Sequence, residues 1–113
     1  MRYIYASTEK NINRLYSHYR YVERFDESNN QWHAVANMKC RRRRFALAEF
    51  DGKLYAFGGF DDSSGELDSA ECYDPDLNTW ELVSPMSSRR CDLSASVLSG
   101  KFNYVVKYSH NRV

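Results

Sequence analysis

The chain repeats itself in a single register, with an offset of 48 positions between the two copies. The segment VERFDESNNQWHAVANMKCRRRRFALAEFDGKLYA, which begins at Val22, aligns without a gap with AECYDPDLNTWELVSPMSSRRCDLSASVLSGKFNY, which begins at Ala70. The matched pairs are Glu23 with Glu71, Phe25 with Tyr73, Asp26 with Asp74, Asn30 with Asn78, Trp32 with Trp80, Val35 with Val83, Met38 with Met86, Arg41 with Arg89, Arg42 with Arg90, Gly52 with Gly100 and Lys53 with Lys101. This many matches in one register indicate a structural repeat.

Each repeat predicts four short strands, which in the better preserved copy lie at 44–50, 53–59, 69–74 and 79–83. Asp51-Gly52 is a strong hairpin signal between the first two strands. Strands this short predict an antiparallel meander, and several such sheets stacked around an axis form an all-β β-propeller. The pair Gly58-Gly59 is predicted to serve packing, because residues without a Cβ allow neighbouring backbone to approach closely.

The motifs DGKLYAFGGFD and AECYDPDLNTWELVSPM resemble the Kelch repeat, whose hallmarks are a glycine doublet followed by a spaced Tyr and Trp. Here these are Gly58-Gly59, Tyr73 and Trp80, and the resemblance covers roughly residues 20–105. It implies a partial Kelch-type propeller in three segments. They are the end of a degenerate blade at 1–43, a complete blade at 44–83 and the first strands of a truncated blade at 84–113.

The repeat weakens towards both ends of the chain. Ser7-Thr8 and Val106-Lys107 stand where glycine doublets belong. After the first of these pairs, the register predicts a loop. A short helix is the alternative there, since Ile12, Leu15, Tyr16 and Tyr19 have helical spacing.

The predicted strand order shows which loops share one end of the propeller. The connection between the second and third strands, 60–68, lies at the same end as the connections between blades, 36–43 and 84–92. The predicted partner-binding residues on this face are Arg41, Arg42, Arg43, Arg89, Arg90, Asp61, Asp62, Ser63 and Ser64. The Kelch resemblance implies that this face takes a peptide of a partner and that Arg42 and Arg90 line the site. Arginine suits an acidic ligand because its planar guanidinium binds a carboxylate through two hydrogen bonds.

A structural role is the alternative for these arginines. One arginine per repeat can brace a blade by pairing with a carboxylate such as Glu23 or Glu71, and Arg41 and Arg43 can belong to a solvated loop. The repeated aromatic residues are predicted to pack between blades rather than to stack on nucleic acid or sugar, because they recur in predicted strands. They are Phe25, Trp32, Tyr73 and Trp80.

The composition excludes several classes of protein. The 113 residues allow one small domain, and 42% hydrophobic with 27% charged residues is typical of globular proteins. No segment approaches the roughly 18 apolar residues of a membrane span, and the first residues lack the apolar core of a signal peptide, so a cytoplasmic protein is expected. Three cysteines without CxxC spacing argue against disulfides and a zinc site. No cofactor, metal, membrane partner or nucleic-acid partner is predicted, and the residues of an enzyme active site are not evident.

The favoured function is therefore a protein-interaction module whose ligand is a protein or an acidic peptide. The Kelch-like proteins that the chain resembles carry BTB and BACK domains and present substrates to a cullin-3 ubiquitin ligase. Neither domain is expected in this sequence, so cullin-3 binding would need residues outside it. The alternatives are an actin-binding Kelch protein and a truncated product without independent activity.

Overall fold

Antiparallel strands are the main regular elements of the chain. The structure, a computed structural model, describes residues 4–7, 20–91, 93–98 and 101–106. The strands are β1 (Ile4–Ser7), β2 (Val22–Asp26), β3 (Gln31–Ala34), β4 (Ala46–Phe50), β5 (Lys53–Phe57), β6 (Phe60–Asp61), β7 (Gly65–Glu66), β8 (Ala70–Asp74), β9 (Thr79–Val83), β10 (Leu93–Leu98) and β11 (Lys101–Val106). Within these ranges, no helix has the length and apolar character needed to cross a membrane.

The strands form three successive sheets, which we call the first, second and third blades. The first blade has the order β1-β2-β3, the second β4-β5-β8-β9 and the third β10-β11. The strands β6 and β7 form a small separate hairpin within the connection between β5 and β8. The predicted all-β fold is confirmed, and the possible helix at residues 12–19 lies outside the described residues.

The second blade is the four-stranded meander that the repeat predicts. Asp51 and Gly52 join β4 to β5, and their φ angles of 53° and 76° are those that a tight hairpin turn requires. The first strand begins at Ala46 rather than at the predicted residue 44. Arg44 has a φ of 54°, and this left-handed conformation is incompatible with a regular strand.

The sequence repeat is visible in the pairing of the strands. Phe25 pairs with Trp32 in the first blade as Tyr73 pairs with Trp80 in the second. The turns between these strands also match, since Asn30 and its counterpart both have positive φ angles, 58° and 52°. The third blade follows the same rule, because the register of β10 and β11 is that of β4 and β5.

The strand β1 follows the repeat with a small offset. Ile4 pairs with Phe25 as Leu54 pairs with Tyr73, which places β1 at the position that β5 has in the second blade. The connection from β1 to β2 is slightly longer than the connection from β5 to β8, so β1 lies a little further back along the chain than the repeat alone would put it. The sequence resemblance of "IYA" in the first blade to "LYA" in the second has this structural basis.

The glycine doublet occupies a crowded, strained stretch at the end of β5. Gly58 and Gly59 are buried and have φ angles of 62° and 102°. A Cβ on Gly58 would lie 2.5 Å from the carbonyl oxygen of Arg90, and one on Gly59 would lie 2.7 Å from that of Arg43. The amide of Gly59 also donates to the Arg90 carbonyl at 2.7 Å. The predicted packing role of the doublet is confirmed.

Two apolar clusters hold the second blade between its neighbours. The cluster facing the first blade contains Val22, Met38, Leu54, Ala56, Tyr73 and Trp80. The cluster on the opposite face contains Ala46, Ala48, Phe57, Ala70 and Met86, and β10 of the third blade lies beside β4 there. Burying a large apolar side chain contributes about 1.5–3 kcal/mol, so these clusters fix the spacing of the blades.

The predicted packing of the repeated aromatic residues is confirmed for one repeat. Trp80 is 3% exposed, and its indole N–H donates to the Ala36 carbonyl of the first blade at 2.8 Å. Trp32 is 44% exposed, so within the residues that the structure describes it does not lie between two blades. It contacts Phe25 beside it, with ring centroids 5.3 Å apart.

Candidate partner-binding face

The predicted loop face exists and contains a cleft between the first and second blades. On this face, backbone hydrogen bonds join the connection before β4 to the hairpin that follows β5. Arg43 and Phe60 exchange backbone hydrogen bonds of 3.1 and 2.9 Å. The cleft has a volume of about 400 Å³ and is lined by the polar residues Arg20, Lys39, Cys40, Arg41, Asp61 and Ser64.

The cleft carries more positive than negative charge. Arg20, Lys39 and Arg41 contribute three cations, and Asp61 contributes one carboxylate. Arg41 Nε lies 3.8 Å from Asp61 Oδ1, which is a loose, partly exposed ion pair. Such a pair contributes at most about 1 kcal/mol, so a ligand carboxylate can compete for Arg41.

Asp61 also organises the hairpin on its side of the cleft. Its carboxylate accepts hydrogen bonds from the Ser63 amide and hydroxyl at 3.4 and 3.1 Å and from the Ser64 hydroxyl at 3.3 Å. A smaller hollow of about 180 Å³ adjoins the cleft between Arg41, Asp61, Asp62 and Ser63. The predicted acidic and serine residues therefore lie together on the loop face.

Arg42 does not belong to the binding surface. Its side chain is completely buried, and the guanidinium makes two contacts with the buried carboxylate of Glu71, at 2.8 and 3.3 Å. The other donors reach the carbonyls of Gly58 and Ser69 at 2.9 and 3.0 Å and the Ser69 hydroxyl at 3.2 Å. All five N–H donors have acceptors, so the prediction that Arg42 contacts a partner is wrong and the bracing alternative is correct.

Glu71 extends this brace to the edge of the cleft. Its carboxylate accepts hydrogen bonds from the backbone amides of Lys39 and Cys40, at 2.6 and 3.0 Å. A residue in β8 of the second blade thus holds the connection that leaves the first blade. The backbone of the cationic segment from Lys39 to Arg41 is consequently held in place by Glu71, which is itself part of a buried ion pair.

Arg43 and Arg44 lie over the aromatic ring of Phe60. Their guanidinium carbons are 5.2 and 5.1 Å from the ring centroid, which is cation–π distance. Arg43 also forms an exposed ion pair with Asp62, at 2.5 Å. These contacts tie Arg43 to the β6–β7 hairpin, so it is neither buried nor an unattached loop residue.

The second pair of predicted arginines lies at the other interface of the second blade. Arg89 is exposed. Arg90 is partly buried, its Nε donates to the Ser88 hydroxyl at 3.0 Å, and its amide donates to the Leu67 carbonyl at 3.0 Å. The two arginines therefore do not line the cleft between the first and second blades, and their contact with a partner stays a prediction.

Two charged residues of the cleft, Arg20 and Lys39, were not among the predicted site residues. Lys39 lies in the connection 36–43, which was predicted to lie on the loop face, so its place on this face could have been predicted from the sequence. Arg20 is the counterpart of Asp68 in the repeat register, and Asp68 ends the loop connection of the second repeat. The place of Arg20 on the loop face could have been recognised by this match. Its place beside residues 39–41 follows from a backbone hydrogen bond within the first blade, in which the Met38 amide donates to the Arg20 carbonyl at 2.9 Å.

The cysteines and the acidic residues in the described part of the chain were compared with the requirements of a metal site. Among the described residues, no cluster of three or more His, Cys, Asp or Glu side chains has the geometry to bind a metal ion. Cys72 is half-buried in β8 rather than fully in the core, and burial raises the pKa of its thiol. Cys40 lines the cleft, and Cys91 is buried.

The fold and the repeat define this chain as part of a β-propeller. A family model described as the Kelch motif matches residues 41–87. A solved Kelch β-propeller, titled "Structure of YjhT", superposes with a TM-score of 0.69 and 25% identity over 75% of this chain and 27% of that chain. The chain therefore contains a Kelch repeat and is a fragment of a Kelch-type β-propeller.

Similar curated proteins carry the same repeat. An F-box/kelch-repeat protein of Arabidopsis thaliana is 35% identical over 71% of this chain and 21% of its own length. Kelch-like protein 11 of Homo sapiens is 30% identical over 74% of this chain, and Kelch-like protein 23 of Homo sapiens is 40% identical over 59%. The match covers 12% of each human protein, so the chain spans about a fifth or less of these relatives. Their Kelch repeats support the class of protein-interaction module.

Proposed function

We propose that the cleft on the loop face binds an acidic peptide segment of a protein partner. The observation that carries this proposal is the charge of the cleft, which is lined by the three cations Arg20, Lys39 and Arg41 and by one carboxylate, that of Asp61. Charge-assisted hydrogen bonds from these side chains to Glu or Asp of a peptide would give both affinity and direction. We further propose that domains outside this sequence present the bound partner to a cullin-3 ubiquitin ligase.

The brace behind the cleft supports the same proposal. Glu71 holds the amides of Lys39 and Cys40, so the backbone that presents two of the cations is ordered before a ligand arrives. A preordered site loses less conformational entropy on binding. The hairpin opposite is similarly ordered by the hydrogen bonds of Asp61 with Ser63 and Ser64.

The test uses a fluorescein-labelled peptide of alternating Glu and Gly and its Gln counterpart, measured by fluorescence anisotropy. We expect the Glu peptide to bind more tightly, with an affinity that falls as salt is added because the charges are exposed. Arg41→Gln and Lys39→Gln should each weaken binding about tenfold, equivalent to about 1.4 kcal/mol. Lys53→Gln is the matched control, since it removes a cation at the opposite end of the blade. Equal affinity for both peptides, or unchanged binding by Arg41→Gln, would contradict the proposal.

A further inference from the structure

The β6–β7 hairpin brings an exposed serine to the cationic cleft. Ser64 lies in the turn of this hairpin, where it is exposed and lines the cleft together with cations such as Arg41. We propose that Ser64 is a phosphorylation site and that its phosphate occupies the cleft in place of the acidic peptide. This inference rests on the proposed function, because it assigns a regulatory state to the same cleft.

The turn presents Ser64 without depending on the serine hydroxyl. The Ser64 amide donates to the Asp61 carbonyl at 3.1 Å, and the flanking strands pair Phe60 with Glu66. These are contacts of the backbone, so the hairpin keeps its shape when the hydroxyl is modified. The hydrogen bond that the hydroxyl donates to the Asp61 carboxylate is exposed and, at 3.3 Å, longer than is usual for a hydroxyl donor, so little is lost when it breaks.

The sequence around Ser64 is strongly acidic. The segment DDSSGELD, residues 61–68, contains four carboxylates and neither lysine nor arginine. Complementary charge selects the partner in a protein complex, so this segment fits a protein kinase with a basic substrate groove. Ser87 and Ser88 are also exposed, but Arg89 and Arg90 follow them directly and would be repelled by such a groove.

The transfer is balanced when ATP is the co-substrate of the kinase. Ser64 Oγ attacks the γ-phosphorus of ATP and gives its proton to the catalytic base of the kinase. The bond between Oγ and phosphorus forms, the bond from the γ-phosphorus to the bridging oxygen breaks, and ADP leaves. The product has a charge of about −1.5 to −2 at pH 7 and three acceptor oxygens. Since Ser64 no longer donates to Asp61, the phosphate and the Asp61 carboxylate repel each other.

The cations of the cleft outweigh this repulsion. Arg20, Lys39 and Arg41 with the Asp61 carboxylate give the cleft a formal charge of +2, which a phosphate dianion neutralises. Arg41 Nε lies 3.8 Å from the same carboxylate that accepts from the Ser64 hydroxyl. Arg41 can therefore exchange a loose ion pair for a charge-assisted hydrogen bond to a phosphate oxygen close by.

A phosphate in the cleft competes with the acidic peptide for the same cations. It is attached to the hairpin, so it acts as an intramolecular ligand whose effective concentration is in the millimolar range, on the order of that for short flexible linkers. A free peptide at micromolar concentration would bind poorly against it. Phosphorylation of Ser64 thus turns partner binding off, and removal of the phosphate restores it.

The first test compares the unmodified chain with a chain that carries phosphoserine at position 64, incorporated during translation. Fluorescence anisotropy with the peptide of alternating Glu and Gly should show at least about a tenfold weaker affinity for the phosphorylated chain. Phosphoserine at position 28 is the matched control and should leave the affinity unchanged. Ser28 is exposed and follows two acidic residues, but it lies in the turn between β2 and β3, at the end of the blade opposite the loop face. Equal affinities of the unmodified chain and the chain with phosphoserine at position 64 would overturn the switch.

The second test does not depend on peptide binding. Phosphorus NMR over a pH titration measures the second pKa of the phosphate, which is about 6 for an unperturbed phosphoserine. The cations should lower this pKa below that of the isolated peptide DDSSGELD with phosphoserine at its second serine, because the peptide has the same acidic neighbours without the cleft. Arg41→Gln should raise the pKa towards the value of the peptide, whereas Lys53→Gln should leave it unchanged.

The two tests separate this inference from the proposed function. The same phosphate pKa in the chain and in the isolated peptide would overturn the inference, even if the unmodified chain binds the Glu peptide. A lowered phosphate pKa in a chain whose unmodified form binds no Glu peptide would contradict the proposed function and support the contact of the phosphate with the cleft.

The modification itself is tested with a recombinant protein kinase that selects acidic substrates, with ATP, followed by mass spectrometry of the digested chain. We expect one phosphoryl group on Ser64. Ser64→Ala should abolish its incorporation, and Ser63→Ala should retain it. Incorporation at Ser63 instead, or none in the folded chain, would overturn the assignment of Ser64 as the site.

Discussion

At the scale of single residues, two adjacent arginines of the same run have opposite roles. Arg41 lines a cleft on the loop face, whereas Arg42 is completely buried and pairs with Glu71. A buried charge is tolerated only when its partner and its hydrogen bonds are complete, which is the case here. Removal of Arg42 would leave Glu71 as an uncompensated buried carboxylate.

We therefore predict that Arg42→Met destabilises the chain by about 3–5 kcal/mol. The stability of the Arg42→Lys variant should lie between that of Arg42→Met and that of the wild type. Lysine keeps the positive charge, but it has no planar guanidinium with which to reach the carboxylate and two carbonyls at once. Arg44→Met is the control, since Arg44 is exposed on the ring of Phe60. Free energies of unfolding from urea titrations give the comparison. A fully stable Arg42→Met variant that loses peptide binding would restore the binding role.

At the scale of elements, the turn between β8 and β9 connects the second blade to the first. Asn78 has a φ of 52°, which asparagine tolerates better than most residues, and its Oδ1 accepts from the Ala36 amide and the Tyr73 hydroxyl. One side chain thus closes its own turn and contacts the neighbouring blade. Its counterpart Asn30 has the same backbone conformation in the first blade.

We predict that Asn78→Gly costs about 1–3 kcal/mol, because glycine keeps the left-handed turn but loses two hydrogen bonds, one of them to a buried tyrosine. Asn30→Gly is the matched control and should change the stability of the chain by a few tenths of a kcal/mol at most. Urea unfolding of both variants measures the difference in the free energy of unfolding. Equal losses would show that the turn conformation, and not the contact between blades, determines the effect.

At the scale of the whole molecule, the packing of the blades makes the free energy of unfolding decrease at alkaline pH. Tyr5 of the first blade lies edge-on to Tyr73 of the second, with ring centroids 5.9 Å apart. Burial, followed by the proximity of Tyr73, raises the pKa of Tyr5 from its ordinary value of 10.0 to about 12. Burial also raises the pKa of Tyr73. The neutral phenols are therefore favoured in the folded chain.

We predict that this contribution to stability is fully present below pH 10 and is lost as the pH rises towards 12. An unfolded chain ionises Tyr5 near pH 10, whereas the folded chain resists ionisation, so alkali favours unfolding. Tyr5→Phe should lose less stability than wild type between pH 9 and pH 11.5, as measured by urea unfolding. Between pH 7 and pH 9, the two proteins should show parallel behaviour. If the free energies of unfolding of the two proteins fell in parallel over the whole pH range, Tyr5 would have the same pKa in the folded and the unfolded chain, which would contradict the prediction.

Local features of the fold could be predicted from the sequence because they depend on neighbouring residues. The repeat, the hairpin at Asp51-Gly52 and the packing role of Gly58-Gly59 follow from residue types at fixed spacing. The loop face follows from the order of the strands, which also placed Arg41 and Asp61 on one side. Arg20 could not be assigned to the cleft in this way, because it is brought beside residues 39–41 by a backbone hydrogen bond with Met38, which lies 18 positions further along the chain.

The amino-acid sequence by itself determined the meander, the propeller class and the end of the blade that carries the loops, since all of these follow from a periodic pattern along the chain. Only the tertiary structure decided which arginine of the run is buried. Arg41 and Arg42 are chemically identical neighbours, and the carboxylate that separates their roles, Glu71, is 29 residues from Arg42 along the chain. Burial of a charge is decided by such a distant partner, because the free energy of removing a guanidinium from water depends on the acceptors that surround it after folding.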